Sequence, residues 1–188
     1  MSNVYLAVLG FLTSFITVVL FLILCIRIII SLVKKSAFPK KLLIATLLGV
    51  VLTSSTSLYK SLFFTFDHLD REYAQRGPGP LASPAEQYSA SAYFEYYGGA
   101  AGGVNVWVEV VNNSEKDKPR IVYYSDAKSV FSMEWVDEDT LSIINHNPYN
   151  PDSNRSTQLK IGTEIYDERG LACKSLLLKD EYETCYHD

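Results

Sequence analysis

No acidic side chain occurs anywhere between Met1 and Phe66, and all 21 acidic residues lie from Asp67 onward. That boundary divides the chain between two solvents. The first part is apolar, and its only charges are the basic residues Arg27, Lys34, Lys35, Lys40, Lys41 and Lys60. The second part is polar, acidic and rich in aromatic residues, which is the composition of a water-soluble domain. The expected class is α+β: an N-terminal two-helix transmembrane hairpin (1–66), a tether (67–82) and a small antiparallel β domain (83–188), folded as a meander or a sandwich.

Val4 to Val33 is broken by few polar residues and by Arg27. A helix needs about 20 apolar residues to cross the hydrocarbon core, so this run suffices with some tilt. Arg27 lies about two helical turns from Lys34 and can snorkel to the same interface. Leu42 to Leu58 is a second run, which carries the hydroxyl-rich stretch Thr53–Ser57. A helix holds such hydroxyls in lipid by bonding them to carbonyls one turn back. Ala45, Gly49, Thr53 and Ser57 recur every four residues as a stripe of small side chains, and Gly10 and Ser14 offer a matching notch. Small residues let membrane helices approach closely.

Between the runs stand Lys34, Lys35, Lys40 and Lys41, with Pro39 among them. Lysines in a short loop mark the cytoplasmic side, so both termini are expected outside the cell membrane. The competing topology has Leu42–Phe66 re-entrant and the acidic domain cytoplasmic. The N-terminus carries no Lys or Arg and so lacks the charged region of a signal peptide. Leu22-Ile23-Leu24 before Cys25 does not fit a lipoprotein cysteine. Cys173 and Cys185 are the only cysteines of the second part, and an even pair in an exported domain points to a disulfide. Zinc is the other reading, with His187 nearby, but two cysteines and one histidine are an incomplete ligand set.

Past Asp67 the hydrophobic period becomes two. Tyr88–Tyr97 puts Tyr88, Ala90, Ala92, Phe94 and Tyr96 on one face. Val104–Val111 puts Val104, Val106, Val108 and Val110 inward, with Asn105, Trp107 and Glu109 opposite. Gly98–Gly103 joins the two as a hairpin. Further strands are expected at Arg120–Tyr124, Val130–Trp135, Leu141–Asn145 and Gln158–Tyr166, and Leu171–Leu178 reads equally as helix or strand. Asp67–Gln75 is expected to extend the second helix until Arg76-Gly77-Pro78-Gly79-Pro80 ends it.

Candidate sites follow from these faces. Gly98, Gly99, Gly102 and Gly103 let backbone donors approach a ligand, although no Lys-Ser or Lys-Thr follows as in a phosphate loop. Tyr93, Tyr97 and Trp107 share the face opposite the valines; left open it would bind sugar, peptide or protein, and covered it would be core. Asp137-Glu138-Asp139, with Asp126 or Glu134, matches no calcium loop and reads as a solvated turn. Asn112 and Asn154 fit the glycosylation pattern. No nucleophile elbow or His-Glu-x-x-His motif occurs, and no catalytic residue, metal or cofactor is assigned. An acidic domain argues against nucleic-acid binding.

Ser83-Pro84-Ala85-Glu86-Gln87-Tyr88, Ala92-Tyr93, Gly98-Gly99-Ala100 before a valine-rich strand, and Glu134-Trp135 followed by Asp137 and Thr140 resemble a domain of unknown function found in bacilli. Glu164–Glu168, Cys173 and Asp180–Tyr186 resemble the tail of its longer members, so the likeness runs from about Phe63 to the end. The resemblance implies a small bacterial protein, anchored by helix or lipid, that displays a β-rich exported domain without an assigned activity. The favoured function is therefore a binding module outside the membrane, in contact with lipid and with a cell-envelope ligand or another membrane protein. One alternative is an accessory or immunity-type protein whose helix pair docks on another membrane protein. An exported hydrolase has the least in its favour.

Overall fold

A computed structural model describes residues 2–35, 37–114 and 119–188, with helical side chains from Val8 onward. The polar turn expected at Asn112–Pro119 therefore lies partly outside the described residues. The chain divides into two units, Met1–Leu62 and Phe63–Asp188.

The first unit is a pair of helices, α1 (Ser2–Lys34) and α2 (Lys40–Leu62). Lys35 takes a left-handed conformation (φ 50°) that stops α1, and Pro39 precedes the start of α2. Both helices are long and apolar enough to span a membrane. Their outer faces are exposed hydrocarbon, from Phe11 and Phe15 on α1 to Leu48 and Val51 on α2. A core helix of a soluble protein would hide such side chains.

The seam between the helices follows a seven-residue repeat. On α1, Gly10, Thr17, Leu24 and Ser31 are buried or half-buried; on α2, so are Leu42, Thr46, Gly49, Thr53 and Thr56. A Cβ on Gly49 would stand 2.5 Å from Thr17 Oγ1, so the two backbones close up where glycine allows it. The seam hydroxyls bond within their own helices: Thr17 Oγ1 donates to Thr13 O at 2.7 Å, and Thr53 Oγ1 to Gly49 O at 2.9 Å. The four-residue spacing read from sequence drifts off this seam. Four residues turn a helix by about 400°, so each step gains about 40°. Gly49 and Thr53 stay in the seam, Ala45 is half-buried, Ser57 is exposed, and Thr56 replaces it. Ser14 is half-buried on α1.

The second unit is a two-sheet sandwich. Its strands are β1 (Gln75–Arg76), β2 (Leu81–Ala82), β3 (Tyr88–Tyr97), β4 (Gly103–Asn112), β5 (Arg120–Asp126), β6 (Val130–Trp135), β7 (Thr140–His146), β8 (Thr157–Lys160), β9 (Glu164–Asp167) and β10 (Thr184–Tyr186), with the short helix α3 at Leu171–Lys174. The seven-stranded sheet runs β1-β3-β4-β5-β9-β10, with β2 also on β3, and the three-stranded sheet runs β6-β7-β8. Pairing is antiparallel except at β5–β9 and β9–β10. The core between the sheets takes Ala90, Ala92, Val106, Val108 and Val110 from one side and Met133, Leu141, Ile143 and Leu159 from the other. Alternation selects this face on each strand.

Three expectations need correction. Gln158–Tyr166 is not one strand: β8 and β9 belong to different sheets, and the chain crosses between them at Gly162 (φ 91°). The helix does not run on past Asp67; α2 ends at Leu62 and the residues to Ala74 form turns. The proline–glycine segment is no free tether, because it lies along β3: Gly77 N–H donates to Ala92 O and Ala92 N–H to Pro78 O, both at 2.9 Å. Proline is tolerated there because the edge of a sheet needs no donor on its outer side.

Candidate functional site

The valine face of β3 and β4 fills the sandwich, which leaves their other face to be explained. Tyr93, Trp107 and Tyr124 form a second core there, packed against Phe66, Leu69, Ala74 and Ile121. The Tyr93 and Trp107 rings stack at 5.5 Å. Trp107 has no exposed surface and Tyr93 only 9%. Of the two alternatives for this face, the covered one holds for Tyr93 and Trp107: Phe66, Leu69 and Ala74 pack over them and make them core.

The same cover builds a cleft. Glu109 follows Trp107 by two residues, so it shares that face, and it is only 7% exposed. Its Oε1 accepts from Trp107 Nε1 at 3.1 Å and its Oε2 pairs with Arg71 at 2.5 Å. Arg71 lies 5.6 Å over the Tyr93 ring. The Glu109 bond raises the Arg71 guanidinium above its ordinary value. Around this pair opens a cleft of about 930 Å³. Phe66, Leu69, Ile121 and Tyr182 supply apolar wall, and Asp67, Asp70, Arg120 and Glu181 supply exposed charge. Tyr182 is oriented by its hydroxyl, which donates to Ile121 O at 2.8 Å, and burial pushes that hydroxyl up to about 12. Among the described residues, Arg71 is paired with Glu109, and the lining adds three exposed carboxylates, Asp67, Asp70 and Glu181, and one further guanidinium, Arg120. The cleft therefore suits a ligand with an apolar body and positive charge.

The glycine hairpin is a separate place. Tyr97, Gly98, Gly99, Gly102 and Gly103 line a smaller cavity of about 360 Å³ together with Tyr96 and Val104. Its glycines answer to the backbone first. Gly98 and Gly99 have φ of 76° and 62°, and a Cβ on Gly102 would overlap the Tyr97 carbonyl. The Tyr97 hydroxyl is spent on Asp126 at 3.2 Å. The structure thus brings Tyr97 and the four glycines together and separates them from Tyr93 and Trp107.

A third constellation is polar and enclosed. Glu168 accepts from Ser125 Oγ at 2.8 Å, the Asp126 amide at 2.7 Å and Arg155 Nε at 2.6 Å. Burial alone would raise Glu168, but these donors outweigh it and hold its carboxyl below the usual range. Asn145, fully buried, donates to the Tyr123 hydroxyl at 2.7 Å and to Asp126 O at 3.0 Å. Burial pushes the Tyr123 hydroxyl up to about 12. Among the described residues no buried polar side-chain atom lacks a partner, and this network ties the two sheets together through Asn145, Tyr123 and Asp126. No group of three or more metal-ligating side chains occurs among the described residues either.

Cys173 and Cys185 are joined as a disulfide, with Cα atoms 5.3 Å apart. Sequence reasoning missed Phe66, Leu69, Arg71 and Tyr182. Glu109 had left one sign, as an acid on the face shared with Tyr93 and Trp107; nothing local marks Arg71 as its partner.

The profile of a family of unknown function, DUF5412, matches residues 34–170, which is most of the chain. No curated protein and no solved structure matches it.

Proposed function

The chain belongs to the DUF5412 family, whose function is unknown, and on that premise we propose that it is a bacterial cell-membrane protein displaying its sandwich outside the cytoplasm as a binding module. The lysine loop supports the orientation, since Lys34, Lys35, Lys40 and Lys41 sit between two helices able to span a membrane. The disulfide supports it independently, because such bonds persist in oxidising compartments. The bacterial setting rests on the likeness of the Ser83–Tyr88 and Glu134–Trp135 segments to a bacilli domain.

The observation that carries the binding role is the cleft around Arg71 and Glu109. It combines apolar wall with the exposed carboxylates of Asp67, Asp70 and Glu181. The ligand it fits is a positively charged peptide segment of a cell-envelope or membrane protein. The alternative, in which the helix pair docks on another membrane protein, loses its motivating feature, since Gly49 and Thr53 are spent on the hairpin's own seam.

The test is site-specific photocrosslinking in intact cells. Photoreactive residues at Asp70 and Glu181, both exposed on the cleft, should give the same adduct, and one at Gln158 on the small sheet should not. Equal labelling from all three positions, or adducts from none, sinks the reading. A reporter fused after Asp188 should be active only outside the cytoplasm and one after Lys35 only inside; the reverse overturns the orientation.

A further inference from the structure

The family match stops at residue 170, yet one wall of the cleft comes from beyond it: Leu178, Glu181 and Tyr182. The same C-terminal segment carries both partners of the disulfide and the edge strand β10. Its two ends are held very differently. The α3 end is fixed without the disulfide, because the Ala172 amide donates to the buried Asp167 carboxylate at 2.7 Å and Ser175 Oγ donates to Phe64 O at 2.7 Å. The β10 end has a ladder of three residues on β9, two amides on Thr163 O, the Tyr182 and Tyr186 hydroxyls donating to Ile121 O and Glu164, and the Asp188 contacts with Arg155 and Tyr166, most of them at exposed side chains. Beneath the bridge lies a cavity of about 160 Å³ between Ile165, Leu178, Tyr182 and the two cysteines. A gap of that kind forfeits the dispersion contacts that would otherwise hold the segment down. The bridge itself is partly open to solvent, as both cysteines are half-buried.

We propose that the disulfide is a redox latch: its reduction releases Leu176–Asp188 from the sandwich and removes one wall of the cleft, and its formation sets that wall in place. The step is thiol–disulfide exchange. A thiolate of an exogenous dithiol attacks one sulfur of the Cys173–Cys185 bond and the other sulfur leaves as a thiolate. The second thiol of the reductant then resolves the mixed disulfide. The protein gains two electrons and two protons as two thiols, and the dithiol becomes a disulfide. Cys173 remains on α3, while Cys185 departs with β10. The β3–β4–β5 sheet and the Arg71–Glu109 pair make no use of the bond and stay folded. The binding consequence rests on the cleft being the ligand site; the release of the segment does not.

The experiment is hydrogen exchange on the full chain in detergent micelles, oxidised and after treatment with dithiothreitol, with the Cys173→Ser/Cys185→Ser variant as an unreactive control. Reduction should speed exchange at Glu183–Tyr186 by about a hundredfold, the loop-closure advantage of such a bond, and leave β3 and β4 unchanged. The double variant should exchange like the reduced protein in either condition. Unchanged exchange at Glu183–Tyr186 overturns the latch. So does acceleration spread evenly over β3 and β4, which would make the bond a general staple. Photocrosslinking from Asp70 then separates the two readings. An adduct lost on reduction supports the wall's part in binding, and an adduct indifferent to reduction overturns that part. Released exchange with no adduct in either state upholds the latch and removes the binding role.

Discussion

Replacing Arg71 by alanine removes the one ionic partner that Glu109, 7% exposed, has among the described residues. Stranding a deeply buried charge costs about 3–5 kcal/mol, while an exposed pair is worth roughly 0–1 kcal/mol. Arg71 itself is 48% exposed in its side chain, so water can reach part of the vacated place and the cost falls between these limits, near 2 kcal/mol. Losing the cation above the Tyr93 ring adds about 0.5–1 kcal/mol. The expected destabilisation is therefore about 2.5–3 kcal/mol, or roughly a factor of 60–150 in the folding equilibrium. Urea unfolding of the full chain in micelles, followed by tryptophan emission, should show a midpoint lower by about 1–2 M with an unchanged slope. Trp107 is a direct reporter because its Nε1 donates to the same carboxylate. Adding Glu109→Gln should recover part of the loss, since a glutamine oxygen still accepts from Trp107 and brings no charge. A midpoint unmoved by Arg71→Ala, or a double variant worse than the single one, would refute the claim that the post-helical turns seal this face.

Gly49→Leu should part the two helices, because even a Cβ meets Thr17 Oγ1 at 2.5 Å; an overpacking cost of about 1–3 kcal/mol is expected, read as reduced crosslinking between cysteines placed on α1 and α2, with partial rescue by Thr17→Gly. Glu168 should make the sandwich acid-sensitive. Its folded carboxyl lies below its unfolded value, so its contribution is complete above about pH 4.5 and is lost as pH falls through the folded value. Glu168→Gln should flatten that limb of a stability–pH curve, and an unchanged limb would count against the network. Gly102→Ala should cost more than Gly99→Ala. The first drives a methyl into the Tyr97 carbonyl, whereas the second meets nothing within 4 Å and bears only the left-handed strain of about 1 kcal/mol; thermal unfolding of the two variants decides the order.

The parts legible in the sequence are those set by short-range periodicity. Two apolar runs specify two membrane-length helices, and alternation from Tyr88 to Val111 specifies the hairpin of β3 and β4 and which of its faces carries valine. The helical seam was half legible: its small residues stood out, but packing follows a repeat of seven, and a spacing of four leaves that line within a few turns. The switch of sheets at Gly162 was hidden because β8 and β9 are each short and the apolar pattern runs on through the crossing.

Sequence alone determined that the chain changes character near Asp67, a few residues beyond the structural division after Leu62, since a stretch that excludes every acid for 66 residues can satisfy that composition in lipid. Only the tertiary structure decided that Trp107 is core, that Glu109 meets Arg71, and that Tyr182 walls the cleft. Those facts join residues far apart along the chain, and they depend on which surface remains uncovered after the two sheets have met. Local pattern shows that a face is apolar; what comes to lie on it is settled by the packing of the whole domain.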